Sequence, residues 1–342
     1  MRRVDVKDFL LSYDNTPIVD VRSPAEYADG HICGAVTLPL FSDDERAEVG
    51  TTYTKVGKPE AIDLGLEIVG PKMTFLAKEA KAIAAEGKLK IHCWRGGMRS
   101  EKMAWLFELV GLEVTILNGG YKAFRQELLN DFKNLQNLIV LQGPTGSGKT
   151  MILNELEKKG EQILDLEKRA NHKGSAFGAI GLGNQPSTTQ FQNNLYADVL
   201  KLDTSRRIWI ESESLSIGRV YLPETLWEAM NNSNVIELVI DKTIRAKRIV
   251  EEYGNLDQNL LAASIEKIQN RFGGDRTKKA LELLQEQKLE EVTMLLLDYY
   301  DNGYSFSKNK HKKKEVGILE ATSGDPAKNA ADLIRIANKL NL

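Results

Sequence analysis

Residues 143 to 150, Gly143-Pro144-Thr145-Gly146-Ser147-Gly148-Lys149-Thr150, leave fewer folding choices than any other stretch of the chain. A glycine, four residues and then Gly-Lys-Thr form a turn whose backbone N–H groups converge on one point, between a strand and a helix. Both flanks are present: Leu138 to Leu141 is a short apolar run, and Leu153 and Leu156 carry a helical pattern on to Gly160. The expectation is an α/β fold in which Gly143, Thr145, Gly146, Ser147, Gly148, Lys149 and Thr150 grip a diphosphate. Lys149 would bridge its outer oxygens, and Thr150 would hold Mg2+ if a metal is used. A nucleotide hydrolase usually adds a second apolar strand ending in Asp. The candidates are Ile163-Leu164-Asp165 and Ile208-Trp209-Ile210-Glu211, and the latter offers Glu. Phosphate binding is therefore better supported than nucleotide hydrolysis.

A second loop of similar design lies upstream, where Leu89 and Ile91 form a short apolar strand leading into His92-Cys93-Trp94-Arg95-Gly96-Gly97-Met98-Arg99-Ser100. Met103, Leu106, Phe107 and Val110 then repeat at helical spacing. Glycines that free the backbone, a helix N-terminus and two arginines all favour a thiolate over a thiol, so Cys93 is the expected nucleophile. Arg95 and Arg99 supply charge, and Trp94, Gly96, Gly97, Met98 and Ser100 complete an anion loop. The competing reading is a buried structural cysteine, which has no use for such neighbours. His31 and His92 read as structural residues beside the loop.

A length of 342 residues allows two domains, and the boundaries fall at 1–130, a polar helical connector at 131–137, and 138–342. The net charge of −2 advertises no polyanion globally, so any nucleic-acid surface has to be local. Two cysteines, Cys33 and Cys93, give neither a disulfide framework nor metal-ligand spacing. No apolar run approaches the roughly 18 residues of a membrane span, and the start carries no apolar signal region. The expectation is a cytoplasmic, soluble protein with no membrane partner and no tightly bound cofactor.

The stretch from Leu38 to Lys72 reads as a long polar, partner-facing connection. Residues 169–195 are rich in glycine, amide and hydroxyl groups and read as a substrate-facing loop rather than core, with a plain solvated loop as the alternative. Arg169, His172, Lys173, Ser175 and Phe177 are its candidate contacts, joined by Glu211 and Glu213 from Glu211-Ser212-Glu213-Ser214. Arg245, Lys247 and Arg248 share one helix, and a helical pair runs from Leu260 to Gln287. Lys308, Lys310, Lys312, Lys313 and Lys314 cluster around His311, either as a solvated face or as a landing site for an RNA backbone. Val316 to Leu319 reads as a last strand and Ala327 to Leu340 as a closing helix.

Asp20-Val21-Arg22, Glu26-Tyr27, Gly30-His31-Ile32 and Gly34-Ala35 follow in the order found in rhodanese sulfurtransferases, and the Cys93 loop and Asn118-Gly119-Gly120-Tyr121 fall where that family places its cysteine and closing strand. Residues 1–130 thus resemble a rhodanese domain with a mostly parallel sheet. The Cys93 to Arg99 loop is one residue longer than the usual sulfurtransferase loop and also resembles the cysteine-dependent phosphatases, which leaves two chemistries open. A rhodanese-like domain joined to a P-loop NTPase-like domain with helical additions resembles the tRNA 2-selenouridine synthases over nearly the whole chain. Beyond the two loops, Asp43-Asp44-Glu45-Arg46-Ala47-Glu48-Val49-Gly50-Thr51 and Ala170-Asn171-His172-Lys173-Gly174-Ser175-Ala176-Phe177-Gly178 carry the likeness.

That resemblance implies a transferase acting on tRNA with 2-thiouridine at the wobble position, using geranyl diphosphate and selenophosphate as co-substrates. Cys93 would carry selenium as a selanyl-cysteine, and the loop at Lys149 would hold the diphosphate. The alternative is a cysteine-dependent phosphatase or sulfurtransferase fused to a nucleotide-binding, kinase-like domain.

Overall fold

A computed structural model describes residues 1–11, 15–254, 256–310 and 314–342, without the side chains of 307–310. The chain divides into two units, Met1–Asp131 and Phe132–Leu342. No described helix is long and apolar enough to cross a membrane.

The first unit holds a parallel five-stranded sheet of β1 (Arg2–Val4), β2 (Ile18–Asp20), β3 (Val36–Thr37), β4 (Lys88–His92) and β5 (Glu113–Leu117), in the order β1-β5-β4-β2-β3. Central β4 is buried from Leu89 to His92, as expected of a strand covered on both faces. Val19 pairs with Ile91 and Ile91 with Ile116, so the branched side chains stack into one core with Leu76 and Phe107. Ser23 caps the helix Pro24–Asp29 through a reciprocal capping box with Glu26.

The stretch from Leu38 to Lys72, expected as a long connection, is mostly two helices, Asp43–Lys55 and Lys58–Val69. The first buries no residue, so it lacks the apolar period that would reveal it, although Ser42 and Glu45 form its capping box.

The second unit is built on a parallel sheet in the order β12-β11-β6-β8-β7. Its strands are β6 (Leu138–Gln142), β7 (Gln162–Leu164), β8 (Ile208–Glu211), β11 (Asn234–Ile240) and β12 (Lys314–Ala321), and β9 (Ser216–Ile217) and β10 (Val220–Tyr221) form a separate antiparallel pair. Central β6 is buried throughout and ends at the glycine-lysine loop. The helix Lys149–Lys158 buries Ile152, Leu153 and Leu156 against this sheet.

Between β11 and β12 the chain inserts the helices Gln258–Lys267, Gln269–Phe272, Gly274–Gln285 and Leu289–Lys310, which form their own apolar core with Phe177 and Ile180. The expected polar connector at 131–137 buries Phe132 and Leu135. Residues 188–199, expected within a loop, form a helix that buries Phe191, Gln192, Asn193, Leu195 and Tyr196. The side chains of Lys308, Lys310, Lys312 and Lys313 lie outside the described residues, and Lys314 opens β12.

Candidate active sites

Strand β4 ends at His92 and delivers Cys93 into a loop tied to the helix Gly120–Lys133. The carbonyls of Cys93 and Trp94 accept the N–H groups of Tyr121 and Lys122 at 2.8 and 2.9 Å. The approach is close enough to require glycine twice. A Cβ at Gly120 (φ 61°) would lie 2.4 Å from the Cys93 carbonyl oxygen, and one at Gly96 (φ 63°) 2.6 Å from that of Leu117. Arg3 adds a brace the sequence reading missed, donating to the Gly96 carbonyl at 3.0 Å while pairing with Glu101.

The sulfur of Cys93 sits 3.3 Å from the Ser100 hydroxyl, which itself donates to the Gly97 carbonyl at 3.0 Å. Cys93 is only 3% exposed and counts among the core residues of the sheet, so the expected open cradle is not the conformation held here. Arg99 explains part of the difference. Its guanidinium donates to both carboxylate oxygens of Glu26, at 2.7 and 3.3 Å, instead of facing the sulfur. Burial pushes the Glu26 carboxyl up, but the hydrogen bonds and charge of Arg99 outweigh it and hold the group below its ordinary value. Arg95, Trp94 and Met98 are exposed on the loop.

Beneath the loop, Arg22 is buried, donates to Asp20 and to the Gly30 carbonyl, and stacks 3.8 Å from the Tyr121 ring centre. His92 is fully buried with Nε2 3.7 Å from Asp20, and burial pushes its imidazole down to about 4 despite that carboxylate. It is neutral at pH 7, in keeping with a structural role.

In the second unit, Gly146 and Gly148 adopt left-handed conformations (φ 78° and 81°) that turn the phosphate loop. The Lys149 ammonium donates to the Gly143 carbonyl at 3.1 Å, and the Thr150 hydroxyl to Glu167 at 2.5 Å. Ser147 is fully buried and its hydroxyl has no hydrogen-bond partner among the described residues. Two arginines brace the loop: Arg245 donates to the Thr145 carbonyl (3.1 Å) and pairs with Asp301, and Arg248 donates to the carbonyls of Gly146 (2.9 Å) and Gly324 (2.7 Å). Among the described residues no group of three or more His, Cys, Asp and Glu is set to hold a metal.

A cavity of about 1250 Å³ opens from this loop, and Lys173, Ser175, Phe177 and Glu213 line it with Lys149 and Thr150. Lys173 is paired there with Glu252 at 2.6 Å. Three other candidates for substrate contact are placed elsewhere. Arg169 is paired with Asp198 at 2.5 Å. His172 is buried against two glycines, and a Cβ at Gly178 or Gly218 would come within 2.8 or 2.7 Å of its ring. Glu211 is fully buried, where its Oε1 accepts the N–H groups of Leu166 and Glu167 at 2.7 and 2.9 Å. Burial, then the nearby Asp165 and Glu167, push its carboxyl well above the ordinary range, and its two hydrogen bonds anchor the start of the helix Leu166–Ala170.

Family comparisons agree with both halves. The family model for the AAA domain of tRNA 2-selenouridine synthase matches residues 136–325, and the model for the rhodanese-like domain matches residues 5–127. The tRNA 2-selenouridine synthase of Bordetella bronchiseptica is 34% identical over 90% of this chain and 92% of its own length. That of Sulfurovum sp. is 35% identical over 88% and 91%. For the synthase of Nitrosomonas europaea the figures are 38% identity over 70% of this chain and 64% of the relative. With a rhodanese-type cysteine loop, a P-loop sheet and two relatives matched along about nine-tenths of their own length, the chain belongs to the tRNA 2-selenouridine synthase family.

Proposed function

We propose that this chain is a transferase that modifies tRNA, alkylating the sulfur of a wobble 2-thiouridine with geranyl diphosphate and then exchanging the S-geranyl group for selenium from selenophosphate. The observation that carries the reading is the presence, in one family member, of two different glycine-rich loops between a strand and a helix, one with a cysteine and one with a lysine.

The phosphate loop suits the first step. Backbone N–H groups from Gly146 to Thr150, with Lys149, would bind the donor's diphosphate and stabilise it as it departs, while the 2-thio sulfur attacks the prenyl carbon. Thr150 and Glu167, hydrogen-bonded to each other at 2.5 Å, are hard oxygen donors of the kind Mg2+ takes, in place of the proton between them. When bound there, the metal would neutralise part of the diphosphate charge. Lys149 would release its bond to the Gly143 carbonyl in favour of the phosphate oxygens.

Cys93 suits the second step. Its thiolate would take the phosphoryl group of selenophosphate and free hydrogen selenide, which bonds to C2 of the base as geranyl thiolate leaves, and water then releases phosphate from the sulfur. Arg95 and the helix N-terminus at Met98 would balance the anion, with Arg99 joining when it leaves Glu26. Alkylation turns the uridine sulfur into a better leaving group, which gives the exchange a reason to use both loops. Cells lacking this chain should keep 2-thiouridine and lose 2-selenouridine in a mass-spectrometric analysis of wobble nucleosides. Unchanged 2-selenouridine would refute the proposal.

A further inference from the structure

We propose that the helical insert between β11 and β12 is the binding site for the hydrocarbon tail of the diphosphate donor. The inference rests on the prenyl diphosphate reading above and says where the apolar half of that donor goes. The cavity that begins at Lys149 and Thr150 continues into the insert, where Leu261, Ile265, Ile268, Leu284, Val292 and Leu296 line it. All but Ile268 are buried core residues of the insert, so this core is packed around an open volume.

Protein cores ordinarily close such volumes, because an empty apolar space forfeits contacts on every side. A nucleoside would need polar partners for its base edges, whereas most residues that the insert gives to the wall are aliphatic or aromatic, with Arg271, Arg276, Thr293 and Asn302 as its polar members. An anion grip joined to an apolar chamber suits a ligand with a diphosphate head and a hydrocarbon tail. The phenol of Tyr300, also on the wall, is buried and pushed up to about 12, so it adds no charge to the chamber. Phe177 lines the cavity and also packs in the insert's core, so the glycine-rich segment following Arg169 contributes part of the wall.

The test is calorimetry on the full chain with pyrophosphate, dimethylallyl diphosphate and geranyl diphosphate. In the unaltered protein geranyl diphosphate should bind at least tenfold more tightly than dimethylallyl diphosphate. Ile268→Asp, at a half-buried lining position, should erase that advantage and leave pyrophosphate binding within twofold, and Leu289→Asp should repeat the result at a second half-buried lining position. Lys149→Ala should weaken all three ligands. Equal affinity for all three in the unaltered protein, or equal weakening of pyrophosphate and geranyl diphosphate by both lining variants, would overturn the chamber proposal and leave the diphosphate grip standing. If none of the three binds, the underlying donor reading fails and the inference falls with it.

Discussion

Arg99 is held by Glu26, 73 positions earlier in the chain, through two hydrogen bonds of 2.7 and 3.3 Å. The cation that the loop motif would aim at a bound anion is thus occupied while Cys93 is 3% exposed. Glu26→Gln should weaken this pair and let the loop open. Alkylation of Cys93 by iodoacetamide, followed by peptide mass spectrometry, should run several-fold faster in the variant, and an unchanged rate would show that the pair does not restrain the loop. The variant should also cost about 1 kcal/mol of stability at neutral pH, since the pair is only partly buried. Because Arg99 holds the Glu26 carboxyl below its ordinary 4.5, the pair's contribution is complete above that pH and drains away as pH falls through the lowered value.

The turn at Gly120 should tolerate no side chain. Gly120→Ala places a methyl group 2.4 Å from the Cys93 carbonyl oxygen in a left-handed conformation and should cost at least ~2 kcal/mol, read as a lower denaturation midpoint. Gly97→Ala is the matched control. A Cβ there meets nothing within 4 Å, and φ is −102°, so stability should stay within about 0.5 kcal/mol.

His92 makes the first unit sensitive to acid. Its imidazole is pushed from 6.5 to about 4 in the folded chain, so the unfolded chain takes up the proton first. Its contribution is therefore complete above pH 6.5 and is lost as pH falls towards 4, by on the order of 3 kcal/mol. Denaturant titrations across that window should show the slope, and His92→Leu should flatten it. An unchanged slope in the variant would assign the acid sensitivity to other groups.

Both loops were legible as strand, turn and helix because their signals are local: glycines at turn positions, a cysteine or lysine after the strand, and a helix directly after. The pairing of Arg99 with Glu26 was not legible, because it joins residues far apart in sequence and Arg99 sits in a motif that suggests another partner. The helix Asp43–Lys55 was hidden by its lack of a buried face, although the Ser42 and Glu45 capping box was available. Arg169, His172 and Glu211 were read from the polarity of their segments, and each is instead taken up by a partner or by packing. The chamber could not be read at all. Its wall draws on residues as far apart as Phe177 and Tyr300, and no periodicity links the glycine-rich segment to three helices of the insert.

The central claim is that one chain divides two reactions between two loops. The most direct measurement incubates the purified protein with tRNA bearing 2-thiouridine, geranyl diphosphate and selenophosphate, and quantifies nucleosides by mass spectrometry. Cys93→Ala should accumulate S-geranyl-2-thiouridine and form no 2-selenouridine, whereas Lys149→Ala should reduce geranylation at least tenfold and leave 2-thiouridine unchanged. Equal loss of both products in each variant would contradict the division of labour.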